Sequence, residues 1–246
     1  MKPRASQRRA WGTLAVLLAM VSGAQDKAGL GGATSAAPPE IKEIRPGVLQ
    51  AGKVTILKNE RAISFPVFIN MHAGPMEYIV VTPKGKAHES LLRTDADPLH
   101  IQVALLLLNA KGAQGKPVPE DPRETIAGEQ VEIRLQWVAG GKTQSAPIEQ
   151  FVRDGRAKKA MEAGPFVYNG SMIFEGQFLA ARDGSIVSLI TDPAALINNP
   201  RPGRVDDENW SPIKAGLPAL DSPATLSIRL LPNKPLTPVK KPGDGK

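Results

Sequence analysis

The chain has 246 residues, a length typical of one domain with extensions at its ends, and a formal net charge of +7. Hydrophobic residues make up 41% and charged residues 22%, so a sizeable core is expected and disorder throughout the chain is excluded. The absence of cysteine excludes iron–sulfur clusters, Cys-ligated zinc and disulfide bonds. The core alone must hold the fold.

The N-terminus has the pattern of a secretory signal peptide. The basic residues at its start are Lys2, Arg4, Arg8 and Arg9. An apolar run follows at residues 14–21, and small residues suited to a cleavage site occupy positions 22–24. This pattern predicts cleavage after Ala24 and export to the periplasm, the cell surface or the medium. The apolar run is too short to span a bilayer, so no transmembrane segment is expected in the mature form. General secretion and the twin-arginine route both remain open.

Removal of residues 1–24, which carry four basic and no acidic residues, lowers the formal net charge from +7 to +3. So small a charge is weak support for nucleic-acid binding, and no nucleic-acid partner is expected. Residues 25–45 are small and polar, which predicts a flexible, disordered linker. Residues 232–246 are rich in proline and lysine, which predicts a disordered tail. The folded domain is then expected over residues 46–231.

Most of the expected domain has the alternating pattern of β-strands. The predicted strands are residues 53–58, 62–69, 77–82, 130–138, 166–168, 171–174, 185–190 and 225–231. Pro66 within the second strand indicates an edge position or a bulge. After a turn at residues 83–85, residues 86–93 are expected to return as the antiparallel partner of residues 77–82.

One long helix is predicted. Asp97 is suited to the N-cap, Pro98 to the first helical position and Gly112 to termination, which places the helix over residues 99–110. Because its side chains are apolar on almost every side, the helix is expected to be buried. A shorter helix is expected over residues 193–197. The predicted class is α+β: a mostly antiparallel β-sheet domain packed around one buried helix, flanked by the disordered linker and tail.

His88, Glu89 and Ser90 are the candidate catalytic residues. On a strand, His88 and Ser90 would share a face with Cα atoms roughly 6.5 Å apart, so a direct hydrogen bond between them is not guaranteed. The chain has no G-x-S-x-G motif to mark a serine nucleophile. Hydrogen bonding at a strand end is the structural alternative to serine-hydrolase chemistry.

His88 and His100, with Glu89, Asp95 or Asp97 as an oxygen ligand, are the candidate metal ligands, although Asp97 is already explained as a helix cap. His72 is a possible third imidazole. The chain has no H-x-x-x-H or H-x-H spacing, so structural histidines are the alternative. No cofactor is predicted, although a divalent metal is left open.

Several stretches resemble a known family: "ISFPVFIN", "EYIVVTPKGKAHESLLRTDADPLHIQVALLLLNAKG", "VEIRLQWV", "YNGSMIF" and "GSIVSLITDPAALINNP". They are similar to the YdjY-like domain of exported proteins in planctomycete- and verrucomicrobia-type bacteria, over about residues 51–199. The resemblance implies a domain type and an exported location, without an established activity. It also covers His88, Glu89 and His100. Some relatives are described as ferredoxin-like because of cysteine motifs, which this chain lacks.

Three functions are compatible with the sequence. The preferred one is an exported, non-catalytic binding or interaction domain, with an envelope or extracellular partner or a small ligand. The second is a metal-dependent hydrolase, with His88 and His100 as ligands and Glu89 as general base. The third is a structural component of an envelope assembly, which makes contact through residues 233–246. The ligand and the oligomeric state are not specified.

Overall fold

The computed structural model describes residues 39–232, so the predicted signal peptide and nearly all of the predicted tail lie outside the described residues. The described strands are β1 (Ile41–Arg45), β2 (Val48–Ala51), β3 (Val54–Leu57), β4 (Ala62–Ile69), β5 (Tyr78–Val81), β6 (Ser90–Arg93), β7 (Glu129–Ala139), β8 (Lys142–Pro147), β9 (Val152–Asp154), β10 (Lys159–Ala160), β11 (Phe166–Tyr168), β12 (Ile173–Phe174), β13 (Gln177–Phe178), β14 (Ser185–Ser188), β15 (Ile197–Asn198), β16 (Trp210–Pro212) and β17 (Pro223–Leu230). The α-helices are α1 (Pro98–Leu107) and α2 (Leu179–Asp183), and short 3₁₀ helices cover Ala87–Glu89, Ile148–Phe151 and Pro202–Val205. Strand β1 lies within the segment expected to be a linker.

Eight strands close into a barrel in the order β4, β17, β7, β11, β15, β14, β5 and β6, because β6 pairs back onto β4. The β5–β6 and β14–β15 pairs are parallel, and the other pairs of the ring are antiparallel. The predicted α+β class is therefore wrong. The domain is mostly β with two helices, and its sheet closes on itself instead of packing around one helix.

Strand β4 allows this closure because two different strands pair with its two halves. Residues 62–64 pair with β3, residues 68–69 pair with β6, and β17 pairs along nearly the whole strand. Pro66 lies between the β3 and β6 pairings and is exposed. Proline has no N–H to donate, so it is tolerated at this edge position, as its sequence context predicts.

The core of the barrel follows from the two-residue period of its strands. Every second side chain of β4, β7 and β17 is buried: Ile63, Phe65, Val67 and Ile69; Val131, Ile133 and Leu135; and Ala224, Leu226, Ile228 and Leu230. Burial of each large member contributes about 1.5–3 kcal/mol. Strands β5, β11 and β14 are buried on both faces, so other segments cover the outside of the barrel there.

The segment before β6 differs from its prediction. Residues 87–89 form a 3₁₀ turn, β6 begins only at Ser90, and β6 runs parallel to β5, so the predicted antiparallel hairpin is wrong. Asn70, which follows β4, contacts this turn. Its side-chain amide donates hydrogen bonds to the carbonyl oxygens of Ala87 and Ser90, which holds the turn in place.

Helix α1 begins as its sequence predicts. The Asp97 carboxylate accepts a 2.8 Å hydrogen bond from the Leu99 N–H, and Pro98 occupies the first helical position. The helix ends at Leu107, three residues before the predicted end at Ala110.

The burial of α1 is less complete than its composition predicts. The helix packs against β2, β3 and β4. Its buried side chains are Pro98, Ile101, Ala104 and Leu105. Leu106 and Leu107 are exposed. The second helix, α2, precedes β14, whereas residues 193–197 form turns, bends and the start of β15. No helix among the described residues is long and apolar enough to cross a membrane.

Candidate functional site

Two predicted site residues lie in a charged corner that we name the Lys86 cluster, formed by Glu77, Lys86, His88 and Glu89. The Lys86 ammonium donates to Glu77 Oε2 and lies 3.6 Å from Glu89 Oε2. His88 Nε2 lies 3.8 Å from Glu89 Oε1. The hydrogen bond to Glu77 raises the pKa of Lys86, so the ammonium ion persists. Lys86 is therefore the shared counter-ion of both carboxylates.

The Ser90 hydroxyl is committed to the core. Ser90 is fully buried, and its Oγ donates a 2.7 Å hydrogen bond to the Leu92 carbonyl. The His88 side chain is 77% exposed. A serine nucleophile needs both an adjacent base and access to substrate. Burial of the hydroxyl and exposure of the imidazole favour the structural reading of this pair.

His100 and Asp95 belong to another part of the molecule. His100 packs against the β2–β3 turn, where a Cβ added at Gly52 would come within 2.3 Å of His100 Nδ1. Asp95 pairs with Lys53 of the same turn at 3.5 Å. His88 precedes β6 whereas His100 and Asp95 follow it, and a four-residue strand spans about 10 Å. The two imidazoles therefore lie near opposite ends of β6.

His72 also has a separate environment. Its Nε2 lies 2.8 Å from the Pro218 carbonyl oxygen, within hydrogen-bonding distance. Across residues 39–232, no group of three or more His, Cys, Asp or Glu side chains is placed to hold a metal ion. Of the predicted site residues, the structure brings together His88 and Glu89, and it does not add His100 or His72 to them.

A different surface feature lies on α1 and the β12–β13 hairpin. It consists of five large apolar side chains that are 40–72% exposed, and we name it the apolar face: Leu106, Leu107, Met172, Ile173 and Phe174. None of these side chains is charged. They expose apolar groups that burial against a partner would stabilise.

The helix and the hairpin meet at Gln102 of α1. Gln102 precedes Leu106 by four residues, so both lie on one face of the helix. A Cβ added at Gly170 would lie 3.6 Å from Gln102 Nε2, and Gly170 is two residues from Met172. The Tyr168 hydroxyl donates a 2.8 Å hydrogen bond to Gln102 Oε1. The base of the hairpin therefore lies beside α1, and because successive residues of a strand point to opposite sides, Ile173 and Phe174 expose apolar surface on the two sides of the hairpin.

The hairpin is fixed at its tip and its base. Its two turn residues, Glu175 and Gly176, have φ angles of 49° and 75°, the combination that a tight two-residue turn requires. At the base, Ser171 Oγ donates to the Ala194 carbonyl at 2.6 Å and accepts from the Ala180 N–H at 3.1 Å. These contacts hold the apolar side chains of the hairpin in position.

The family model of the YdjY domain matches residues 54–229, which is more than half of the chain. The chain belongs to the YdjY domain family. The family-level resemblance seen in the sequence is thus confirmed, and the matched residues include both the Lys86 cluster and the apolar face. Comparisons with curated proteins and with solved structures gave no match.

The YdjY domain also has an open cavity of about 470 Å³, lined by Val118, Glu120, Ile190, Thr191, Pro193, Arg204, Val205 and Asp207. Buried Arg204 donates hydrogen bonds to the carbonyl oxygens of Pro119 and Asp121 and to Thr191 Oγ1, at 2.5–2.6 Å. Burial lowers the pKa of its guanidinium group. These contacts fasten the loop of residues 111–128 to the barrel, so the guanidinium is engaged by the fold.

The apolar face of the YdjY domain has no counterpart among the predicted site residues. An almost wholly apolar helix ordinarily indicates burial on all sides, which hides the possibility of an exposed face. The sequence of the hairpin does carry a pattern from which the exposed apolar residues could be predicted. The Glu175-Gly176 turn separates the apolar stretch 172–174 from Phe178. Strands this short have too few neighbours to bury every side chain.

Proposed function

We propose that this YdjY domain is an exported, non-catalytic interaction domain that binds its partner through the apolar face. Export is inferred from the signal-peptide pattern of residues 1–24, and the resemblance to exported proteins of planctomycete- and verrucomicrobia-type bacteria agrees with it. The commitment of Ser90 to the core and of Glu89 to the Lys86 cluster supports a non-catalytic role.

The observation that carries the proposal is the exposure of five large apolar side chains on α1 and on the hairpin beside it. A fully exposed large apolar side chain has roughly 150–200 Å² of surface, so the five side chains expose on the order of 400–500 Å². Large apolar side chains that lie exposed in one region of a surface often mark an interaction site. Phe and Met are enriched at the centres of protein interfaces, where charged residues are depleted.

Two equally exposed residues allow a matched test. Ile173 on the apolar face and Val138 on the β7–β8 hairpin are both 72% exposed. A photo-reactive amino acid is placed at each position in turn, and the protein is irradiated in cells that export it. Cross-linked adducts are expected at residue 173 and not at residue 138. Equal adducts at both positions, or none at residue 173, would overturn the proposed binding face.

The non-catalytic part of the proposal has its own test. The purified protein is assayed with generic ester, peptide and glycoside substrates, alongside the His88→Ala variant. No turnover above background is expected from either protein. Turnover that is present in the wild type and lost in His88→Ala would establish an enzyme that depends on the Lys86 cluster.

A further inference from the structure

We propose that the open cavity beside the loop of residues 111–128 binds the chain's own C-terminal segment, residues 233–246, which follows the described residues. The cavity is a different surface from the apolar face, so this proposal does not depend on the function proposed for that face. Three observations support it: the lining of the cavity, the point where the described chain ends, and the composition of the segment.

The lining of the cavity combines apolar side chains with two carboxylates. Glu120 and Asp207 are both exposed, and no salt bridge within residues 39–232 engages either of them. Val205 is 48% exposed, so part of the apolar surface is open to water. The apolar lining residues are Val118, Ile190, Pro193 and Val205. A lining of this kind suits a segment in which apolar residues stand next to positive charges.

The buried charge of Arg204 does not neutralise those two carboxylates. Burial lowers the pKa of Arg204, and the charges of Asp121 and Glu124 act against that effect. Arg204 therefore already has two other carboxylates near it. Its guanidinium group also donates to carbonyl oxygens of the loop. Glu120 and Asp207 are left to attract a positive charge from another segment.

The described chain ends within reach of the cavity. The Leu231 N–H donates a 2.9 Å hydrogen bond to the Gln130 carbonyl oxygen, and Gln130 pairs with Val167 of β11. Val167 forms one buried cluster with Ile126 and Val118, and Val118 lines the cavity. The path from Leu231 to the cavity is therefore about 30 Å at most. Residues 233–246 span about 43 Å when extended at 3.1 Å per residue, so the segment is long enough.

The composition of the segment matches the lining. Residues 233–246 contain four lysines and one aspartate, a side-chain charge of +3, together with Leu236 and Val239. Residues 25–38, which precede the described residues, contain one lysine and one aspartate and lack this excess. The three prolines of residues 233–246 favour an extended conformation, which lowers the entropic cost of docking.

Val239 is followed directly by Lys240 and Lys241. We place Val239 against the apolar lining and the two ammonium groups beside Glu120 and Asp207. Exposed ion pairs of this kind are individually weak. They are sufficient here because a short tether keeps the segment at an effective concentration on the order of millimolar.

The absence of cysteine from the chain allows a disulfide test. In the protein of residues 25–246, Thr237→Cys is combined with Val205→Cys at the cavity or, as the control, with Glu60→Cys. Glu60 is exposed and precedes Arg61, whose carbonyl oxygen accepts a 2.9 Å hydrogen bond from the Leu230 N–H, so the segment can also reach Glu60. Equilibration with a glutathione redox buffer at low protein concentration measures the effective concentration of each thiol pair. Thermal unfolding confirms that each variant is folded.

The effective concentration is expected to be about tenfold higher with the cysteine at residue 205 than with the cysteine at residue 60. Adding Lys240→Gln and Lys241→Gln should lower the value at residue 205 about fivefold. Adding Lys234→Gln and Lys246→Gln, which removes the same charge, should change it less than about twofold.

Equal effective concentrations at residues 205 and 60 would overturn the docking. Equal effects of the two lysine pairs would also overturn it, because they would reduce the contact to a general attraction between charges. Disulfide-linked dimers in place of the intramolecular product would assign the cavity to the C-terminal segment of a second copy instead.

Discussion

Gly52 lies against the imidazole ring of His100, so that a Cβ at residue 52 would come within 2.3 Å of His100 Nδ1. Gly52 also has a φ angle of +55°, in the left-handed region that favours glycine. The β2–β3 turn and helix α1 can approach this closely because residue 52 has no side chain. His100 is therefore part of the contact that seats the helix on the sheet.

Gly52→Ala is expected to lower the free energy of unfolding by about 2–3 kcal/mol, from left-handed strain and from the clash with His100. Urea denaturation measures this change. Gly140→Ala is the matched control, because Gly140 has a φ angle of +57° and nothing within 4 Å of an added Cβ. Gly140→Ala should lower the free energy of unfolding by only about 1 kcal/mol, because it introduces backbone strain without a clash. Equal losses in the two variants would show that the contact with His100 does not restrict residue 52.

Arg204→Lys is expected to loosen the loop of residues 111–128. Lysine lacks the planar fork with which Arg204 reaches Pro119, Asp121 and Thr191 together, so at least one acceptor loses its partner. The expected loss is about 2–4 kcal/mol of unfolding free energy, with faster hydrogen exchange confined to the loop.

Arg123→Lys is the control for that substitution, because the Arg123 side chain is 87% exposed and, within residues 39–232, pairs only with Asp121 of its own loop. Its effect on stability should stay below about 0.5 kcal/mol. Unchanged hydrogen exchange of the loop in Arg204→Lys would contradict the role given to the buried guanidinium.

Local features of the fold could be predicted from the sequence because their causes lie within a few residues. Asp97 and Pro98 mark the start of α1, and the Asp97 carboxylate does bond the N–H two residues later. Strand β7 follows from its alternating side chains and differs from its predicted bounds by one residue at each end. Pro66 marks an edge because proline has no backbone N–H to donate to a neighbouring strand.

Closure of the barrel and the exposure of the apolar face could not be predicted from local sequence patterns. Closure depends on pairs such as Phe68 with Arg93, 25 residues apart, and no local pattern specifies that pairing. The turn before β6 depends on the side chain of Asn70, which is distant in sequence. Exposure of Leu106 depends on where the rest of the fold leaves α1 uncovered. These properties arise from tertiary packing.

Tyr78 predicts a loss of stability at alkaline pH. Burial, followed by the charge of Asp192 and a 3.1 Å hydrogen bond to its carboxylate, raises the pKa of Tyr78 above its usual value. Above about pH 10 the unfolded chain releases the phenol proton while the folded chain keeps it. The unfolded state then binds fewer protons, so the free energy of unfolding falls as pH rises. Below about pH 10 this contribution is fully present.

Urea denaturation between pH 7 and 11 tests this dependence with Tyr78→Phe and Tyr168→Phe. Burial also raises the pKa of Tyr168, and the chain has only these two tyrosines. Each single variant should be less stable at pH 7 and have a shallower alkaline slope, and the double variant should lose the phenol contribution. Lys86, whose pKa is also raised, leaves a residual slope. An unaltered slope in the double variant would contradict the assignment.

Zinc titration tests the hypothesis that His88 and His100 bind one metal ion, which requires the two imidazoles to lie close together. Two imidazoles on one zinc ion have their ligating nitrogens within about 4 Å of each other, since each Zn–N bond is about 2.0–2.1 Å. The strand β6 lies between His88 and His100, and the second ring is packed against Gly52. Calorimetry is therefore expected to give no one-to-one zinc site that both histidines share, and His88→Ala and His100→Ala should not abolish a common binding step. His100→Ala should instead lower the melting temperature.

A stoichiometric zinc site that is lost in each single variant would contradict this expectation, because it would require β6 and α1 to rearrange. Glu89 would then again be a candidate for the general base of a hydrolase.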